Sequence, residues 1–168
     1  TAEQLLALTA TANQPPLVGS SIPGQAATEK QAFSYTVPVA AFTDPEGQAL
    51  TLDVTLATGA ALPSWLSWNA STRTLSGTPG NAQVGSLSLK VTARDPANAS
   101  ASQTFALTVA NVNDPPVPVG TLPAQQAQAG SAFTYTLPSG AFSDVDVGDT
   151  LTLSLRSAPA WLSVNPAT

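Results

Sequence analysis

Apolar and polar residues alternate along most of the chain between residues 22 and 110. The clearest runs are Phe33-Ser34-Tyr35-Thr36-Val37, Leu50 to Leu56, Leu87 to Ala93 and Phe105-Ala106-Leu107-Thr108-Val109. A period of two sends successive side chains to opposite faces of a strand, so one face meets a core and the other meets water. The inward set is then Phe33, Tyr35 and Val37; Leu50, Leu52, Val54 and Leu56; Leu87, Leu89, Val91 and Ala93; and Phe105, Leu107 and Val109. Shorter strands are expected near 22–27 and 73–76, and helical periodicity is almost absent. Asp44-Pro45-Glu46-Gly47, Ser76-Gly77-Thr78-Pro79-Gly80 and Asp95-Pro96-Ala97-Asn98 carry the Gly, Pro and Asx residues that reverse a chain tightly. About seven short strands at this spacing predict an all-β sandwich. Trp65 and Leu66 follow Leu62-Pro63 in what reads as a loop, a bulky pair placed to plug one end of the core.

The pattern repeats at an offset of 100 residues. Ile22-Pro23-Gly24-Gln25 corresponds to Leu122-Pro123-Ala124-Gln125, Phe33 to Pro38 corresponds to Phe133 to Pro138, and Ala41-Phe42-Thr43-Asp44 to Ala141-Phe142-Ser143-Asp144. After a shortened loop, Pro63-Ser64-Trp65-Leu66-Ser67 aligns with Pro159-Ala160-Trp161-Leu162-Ser163, and Trp68 is replaced by Val164, as a core position would allow. Ala10, Asn13, Pro15 and Pro16 coincide in turn with Ala110, Asn113, Pro115 and Pro116. The organisation expected is a terminal strand and linker of a preceding repeat (1–16), a complete repeat (17–114) and the first half of a second (115–168). The remaining strands of that half are expected from further sequence of the same protein or from another chain. Thr1-Ala2-Glu3-Gln4-Leu5-Leu6 lacks the basic region and cleavage pattern of a signal peptide, and the chain reads as a piece of a longer one.

Composition narrows the function. Five Lys and Arg against ten Asp and Glu give a formal charge of -5, so no basic surface can neutralise a phosphate backbone, and nucleic acid is excluded as an expected partner. No apolar run approaches the roughly 18 residues of a membrane-spanning helix, and no membrane insertion is expected. Without Cys there is neither a disulfide framework nor a thiolate metal site. Without His as well, the commonest general base and the strongest nucleophile are both missing. Neither Lys30 nor Lys90 sits in a Ser-x-x-Lys motif, and the carboxylate pairs Asp44/Glu46 and Asp144/Asp146 lie in turns without apolar surroundings. The chain is expected not to be an enzyme.

Phe42 to Gly47, Leu62 to Leu66, Thr74 to Pro79, Val84-Gly85, Val91 to Asp95 and Asn111 to Pro116 follow one another in an order that resembles the dystroglycan-type cadherin-like domains, also catalogued as immunoglobulin-like repeats. The resemblance spans the complete repeat and every comparable position of the partial one. It implies tandem immunoglobulin/cadherin-like β-sandwiches in an extracellular or cell-surface protein, with a stalk, adhesive or carbohydrate-associated role. It also implies a calcium junction between repeats, because cadherin linkers and an Asp-x-Asp loop supply the several oxygen ligands that Ca2+ requires. The matching positions are Asn113 and Asp114 in the linker and Asp144 and Asp146 in the following loop, with Asp44 and Glu46 at the preceding junction. Asp95 matches the Ala-x-Asp turn. Asn111 where cadherin linkers begin with Asp, and Ser76-Gly77-Thr78 where they carry Asp-Arg-Glu, argue against a full three-calcium junction. The competing role for Asp44 and Asp144 is to cap turns by side-chain to backbone hydrogen bonds, and Asp53 reads as a solvated surface residue.

Three functions stay open: a spacer, its repeats held by Pro-rich linkers; a carbohydrate-binding module, which the scarcity of aromatics outside core positions disfavours; and a fibre subunit assembled by strand addition between chains. The partners expected are neighbouring repeats, other protein chains or polysaccharide. Asn69-Ala70-Ser71 and Asn98-Ala99-Ser100 satisfy the N-glycosylation sequon.

Overall fold

The computed structural model describes residues 12–165, which fall into two compact units divided between Val112 and Asn113. Residues 1–11, the greater part of the expected terminal strand and linker, lie outside the described residues.

Among the described residues, unit 1 contains nine strands: β1 (Leu17–Val18), β2 (Gln25–Thr28), β3 (Phe33–Thr36), β4 (Phe42–Thr43), β5 (Thr51–Leu56), β6 (Leu66–Asn69), β7 (Thr74–Gly77), β8 (Gly85–Arg94) and β9 (Ser100–Ala110). Two main sheets enclose the core, one ordered β2-β9-β8-β5 and the other β3-β7-β6, with β1 and β4 forming a small ribbon. All pairings are antiparallel except β2 with β9, which run parallel from Gln25↔Leu107 to Thr28↔Ala110. The alternation read along the chain is the reason for the sandwich: Leu52, Val54, Leu89, Val91, Ala93, Phe105, Leu107 and Val109 from one sheet meet Phe33, Leu66 and Leu75 from the other, all buried. Tyr35 and Phe105 stack at a tilt across this core, ring centroids 6.0 Å apart.

The structure departs from the expected elements in four places, each for a local reason. The first full strand begins at Gln25 rather than 22, because Pro23 has no N–H to give a ladder; Ile22 is instead tethered by its N–H to Gln103 Oε1 at 3.1 Å. Leu66 opens a strand rather than ending a loop. It pairs with Gly77 in the β6/β7 hairpin, and Trp68 packs on the core with its indole N–H donating to the Leu52 carbonyl at 3.2 Å. Four residues of alternation were too few to distinguish this strand from a turn. Strand β9 starts five residues ahead of the first inward aromatic, since Ala101 and Gln103 continue the inward face with small or polar side chains. Gln103 uses its position well: its amide donates to the carbonyls of Ser20 (3.1 Å) and Ala41 (2.7 Å), so backbone groups at the sandwich rim are satisfied without a ladder. Gly77, read from sequence as part of a turn, is the last residue of β7. A Cβ there would collide with the Trp65 carbonyl oxygen, so glycine is required for the chain before β6 to close over the hairpin.

Unit 2 repeats the beginning of this plan. β10 (Val117–Pro118) pairs with β11 (Phe142–Ser143) in the register of the earlier ribbon, Val117↔Ser143 matching Leu17↔Thr43. The stretch 133–137 forms no ladder strand. Its counterpart β3 pairs only with β7, and no residue of unit 2 corresponds to β7. Phe133 and Leu137 are accordingly only half-buried where Phe33 and Val37 are buried, and Trp161 is 66% exposed where Trp65 packs on the core.

Candidate functional site

The acidic residues picked out by sequence gather, unit by unit, where each repeat receives its incoming linker. In unit 1 the loop between β4 and β5 carries Asp44 and Glu46. Asp44 Oδ1 accepts the backbone N–H groups of Glu46 (2.9 Å) and Gln48 (3.0 Å), an Asx turn that folds the loop back on itself. This places the Glu46 carboxylate against the linker, where Oε2 accepts the Gln14 N–H at 3.3 Å.

Strand β8 ends with Arg94 opposite Thr51, the first residue of β5, so the turn that follows it lies at the same end of the sandwich. There Asp95, only 4% exposed, accepts the Ala99 N–H on Oδ1 and the Asn13 amide on Oδ2, both at 2.9 Å. Gln48 completes the cluster by donating to Asn13 Oδ1 at 3.0 Å. Asn13, Asp44, Glu46 and Asp95 therefore meet at one pole, with Gln14 and Gln48 bridging them. Asp95 belongs with the linker that enters its own repeat. The Oδ2 atom of Asp44 is buried there with no hydrogen-bond partner.

Unit 2 reproduces the arrangement with more carboxylates. Asp144 Oδ1 accepts the Asp146 N–H at 3.0 Å, and Asp146 Oδ2 accepts the Asp114 N–H at 2.6 Å, in the places of Asp44, Glu46 and Gln14. Asn113 donates to the Asp114 carbonyl at 3.1 Å, as Asn13 does to the Gln14 carbonyl at 3.3 Å. Asp146 is 5% exposed. Asp149, which the sequence reading passed over, joins the group: carboxylate oxygens of Asp144, Asp146 and Asp149 lie within 4.8 Å of one another. Its spacing, three residues past an Asp-x-Asp and next to Gly148, was visible in the chain, but its counterpart in the first repeat, after the one-residue insertion, is the uncharged Gln48 that follows Gly47. Several carboxylate oxygens converging in this way are the donor set of a hard cation such as Ca2+.

A second acid missed in the sequence is Glu29, directly after β2. It is fully buried, its N–H donates to the Ala110 carbonyl at 2.9 Å, and its Oε2 accepts the Val112 N–H at 3.4 Å. Lys30 Nζ stands 3.3 Å from Oε1. The distance makes an ion pair, yet that oxygen receives no directed hydrogen bond. Asp53 is exposed on β5, as its outward phase required.

Comparison with known proteins fits this geometry to a family. The family model described as "Putative Ig domain" matches residues 15–110 and again 115–168. The chain belongs to this immunoglobulin-like family. Both matches begin at the first linker proline, Pro15 and Pro115, directly after the Asn13-Gln14 and Asn113-Asp114 pairs that stand at the acidic loops. No curated protein matches the chain. Among solved structures, the endo-fucoidan hydrolase MfFcnA4 from glycoside hydrolase family 107 is similar at 25% identity and a TM-score of 0.49, over 62% of this chain and 15% of that one. Extracellular cadherin domains 1–4 of protocadherin gamma B7 are similar at 19% identity and a TM-score of 0.47, over 67% of this chain and 29% of that one. The Ig-like chain thus spans less than a third of either protein. No helix among the described residues is long and apolar enough to cross a membrane.

Proposed function

We propose that this chain is a non-catalytic spacer segment of an extracellular or cell-surface protein, its Ig/cadherin-like repeats joined by linkers that each repeat binds at its own entrance. The observation that carries the reading is the recurrence of one hydrogen-bond set at a hundred-residue offset: Gln14 N–H to Glu46, and Asp114 N–H to Asp146. A linker held to its repeat by side chains as well as by consecutive prolines loses the freedom of a flexible tether, which is what a stalk needs and a hinge does not. The dystroglycan-type resemblance and an adhesive role belong to the same reading, with neighbouring repeats as the direct partners. Sugar binding by stacking is less well supported, because Tyr35, Trp65 and Trp68 pack against the core and exposed Trp161 occupies the position of Trp65.

Calcium is the natural stiffener of the second junction. Asp144, Asp146 and Asp149 would supply carboxylates, and Asn113 and Asp114 would add oxygens from the linker. At the first junction Gln14 and Gln48 stand where the second has Asp114 and Asp149, leaving Asp44, Glu46 and Asp95 as the weaker set. The test is thermal unfolding in excess calcium and then in chelator, for the parent and for Asp144→Ala and Asp146→Ala. A midpoint raised by calcium and insensitive to it in both variants is expected, since a ligand that binds only the folded form stabilises it. Superimposable parent curves would remove calcium and leave Asp144 and Asp146 as turn residues.

A further inference from the structure

Two sequons occur in unit 1, and the fold treats them differently. Asn69-Ala70-Ser71 spans the end of β6 and the hairpin turn into β7, with all three residues exposed. The Asn69 side chain is already organised: Oδ1 accepts the backbone N–H groups of Ser71 (3.1 Å) and Thr72 (3.2 Å) and the Ser71 hydroxyl at 2.7 Å. Asn98-Ala99-Ser100 lies in the β8/β9 turn under other constraints. Asn98 has a left-handed backbone, φ 68°, the Ala99 N–H is committed to Asp95, and Ser100 is paired with Arg94 in the ladder. Among the described hydrogen bonds, none links Ser100 to the Asn98 carboxamide.

We propose that Asn69, and not Asn98, is an N-glycan acceptor of the folded protein. A carboxamide nitrogen is a poor nucleophile because its lone pair is delocalised towards the carbonyl oxygen. Three donors on Oδ1 stabilise negative charge on that oxygen, which is the charge left there as an amide proton departs. They also turn Nδ2 away from the turn backbone. Nδ2 attacks the anomeric carbon of a sugar activated as a phosphate ester. The new C–N bond forms as the anomeric C–O bond breaks, the phosphate-bearing group leaves with that electron pair, and the amide proton passes to a base of the transferase. The hydroxyl-to-carboxamide bond explains on this chain why a Ser two residues on is part of the acceptor.

The folded 168-residue chain, incubated with a soluble asparagine N-glycosyltransferase and a nucleotide-activated hexose, reads this directly by intact mass and peptide mapping. One hexose is expected on the parent, on Asn98→Gln and on Ser71→Thr, which keeps the hydroxyl; none is expected on Asn69→Gln or Ser71→Ala. Heat-unfolded chain is expected to lose the preference and accept sugar at both sequons. Transfer to Asn98 in the folded chain, no transfer at all, or an unchanged preference after unfolding would each overturn the assignment. Far-UV circular dichroism of every variant confirms that the folded state is what was tested.

Discussion

Asp95 ties two parts of the complete repeat together, so its removal tests whether the linker is truly part of the domain. In Asp95→Ala the Ala99 N–H loses a buried charged acceptor and the Asn13 amide loses its partner, both bonds being 2.9 Å in the parent. Hydrogen bonds to a charged group contribute about 1.5–3 kcal/mol when desolvated. The Ala99 bond, half-buried in a turn, takes the lower end of that range, and the Asn13 bond, made by an exposed amide, about 0.5–1 kcal/mol. A loss of about 2–3 kcal/mol is therefore expected, read as a lowered urea midpoint at unchanged slope. Combined with Asn13→Ala in a double-mutant cycle, the pair should show a coupling of about 0.5–1 kcal/mol, because both changes delete one shared bond. Strict additivity would refute the clasp, leaving Asp95 as a turn cap alone. A single-mutant loss below about 0.5 kcal/mol, the level of an ordinary surface substitution, would refute the turn role as well.

Two further outcomes test the core. The Tyr35 hydroxyl is buried without a hydrogen-bond partner, and burial raises its pKa above the ordinary value of 10.0 because the phenolate would be desolvated. The unfolded chain then releases this proton first as pH rises, so Tyr35 contributes no pH dependence below about pH 10 and costs stability above it. Tyr35→Phe should stabilise the repeat by about 1 kcal/mol at neutral pH by removing an unsatisfied polar group and flatten the alkaline loss in urea titrations; a destabilised variant would show that the hydroxyl is satisfied after all. Leu107→Ala, at a fully buried position of β9, should cost about 2–5 kcal/mol in the same titration, and a cost under 1 kcal/mol would contradict the sandwich core described above.

The strands with long alternation, β3, β5, β8 and the later part of β9, were legible in sequence because a period of two has one physical reading when sustained over five or more residues. The hundred-residue repeat was legible for the same reason, since it needs only self-comparison. The acidic loop residues could be named too, as their types and spacing resemble a known junction. Their grouping could not be read. Asp95 lies about fifty residues from Asp44 along the chain, and only the antiparallel register of β5 with β8 carries its turn to the pole where Asn13 and Glu46 meet. Glu29 was invisible because nothing local distinguishes a buried acid from a surface one; its burial follows from the parallel pairing of β2 with β9, which brings Ala110 and Val112 beside it. The two sequons are the sharpest case. Asn-Ala-Ser is the same three residues at 69 and at 98, and hairpin geometry, which depends on which strands pair and in what register, is what gives one carboxamide a hydroxyl donor and the other a left-handed turn.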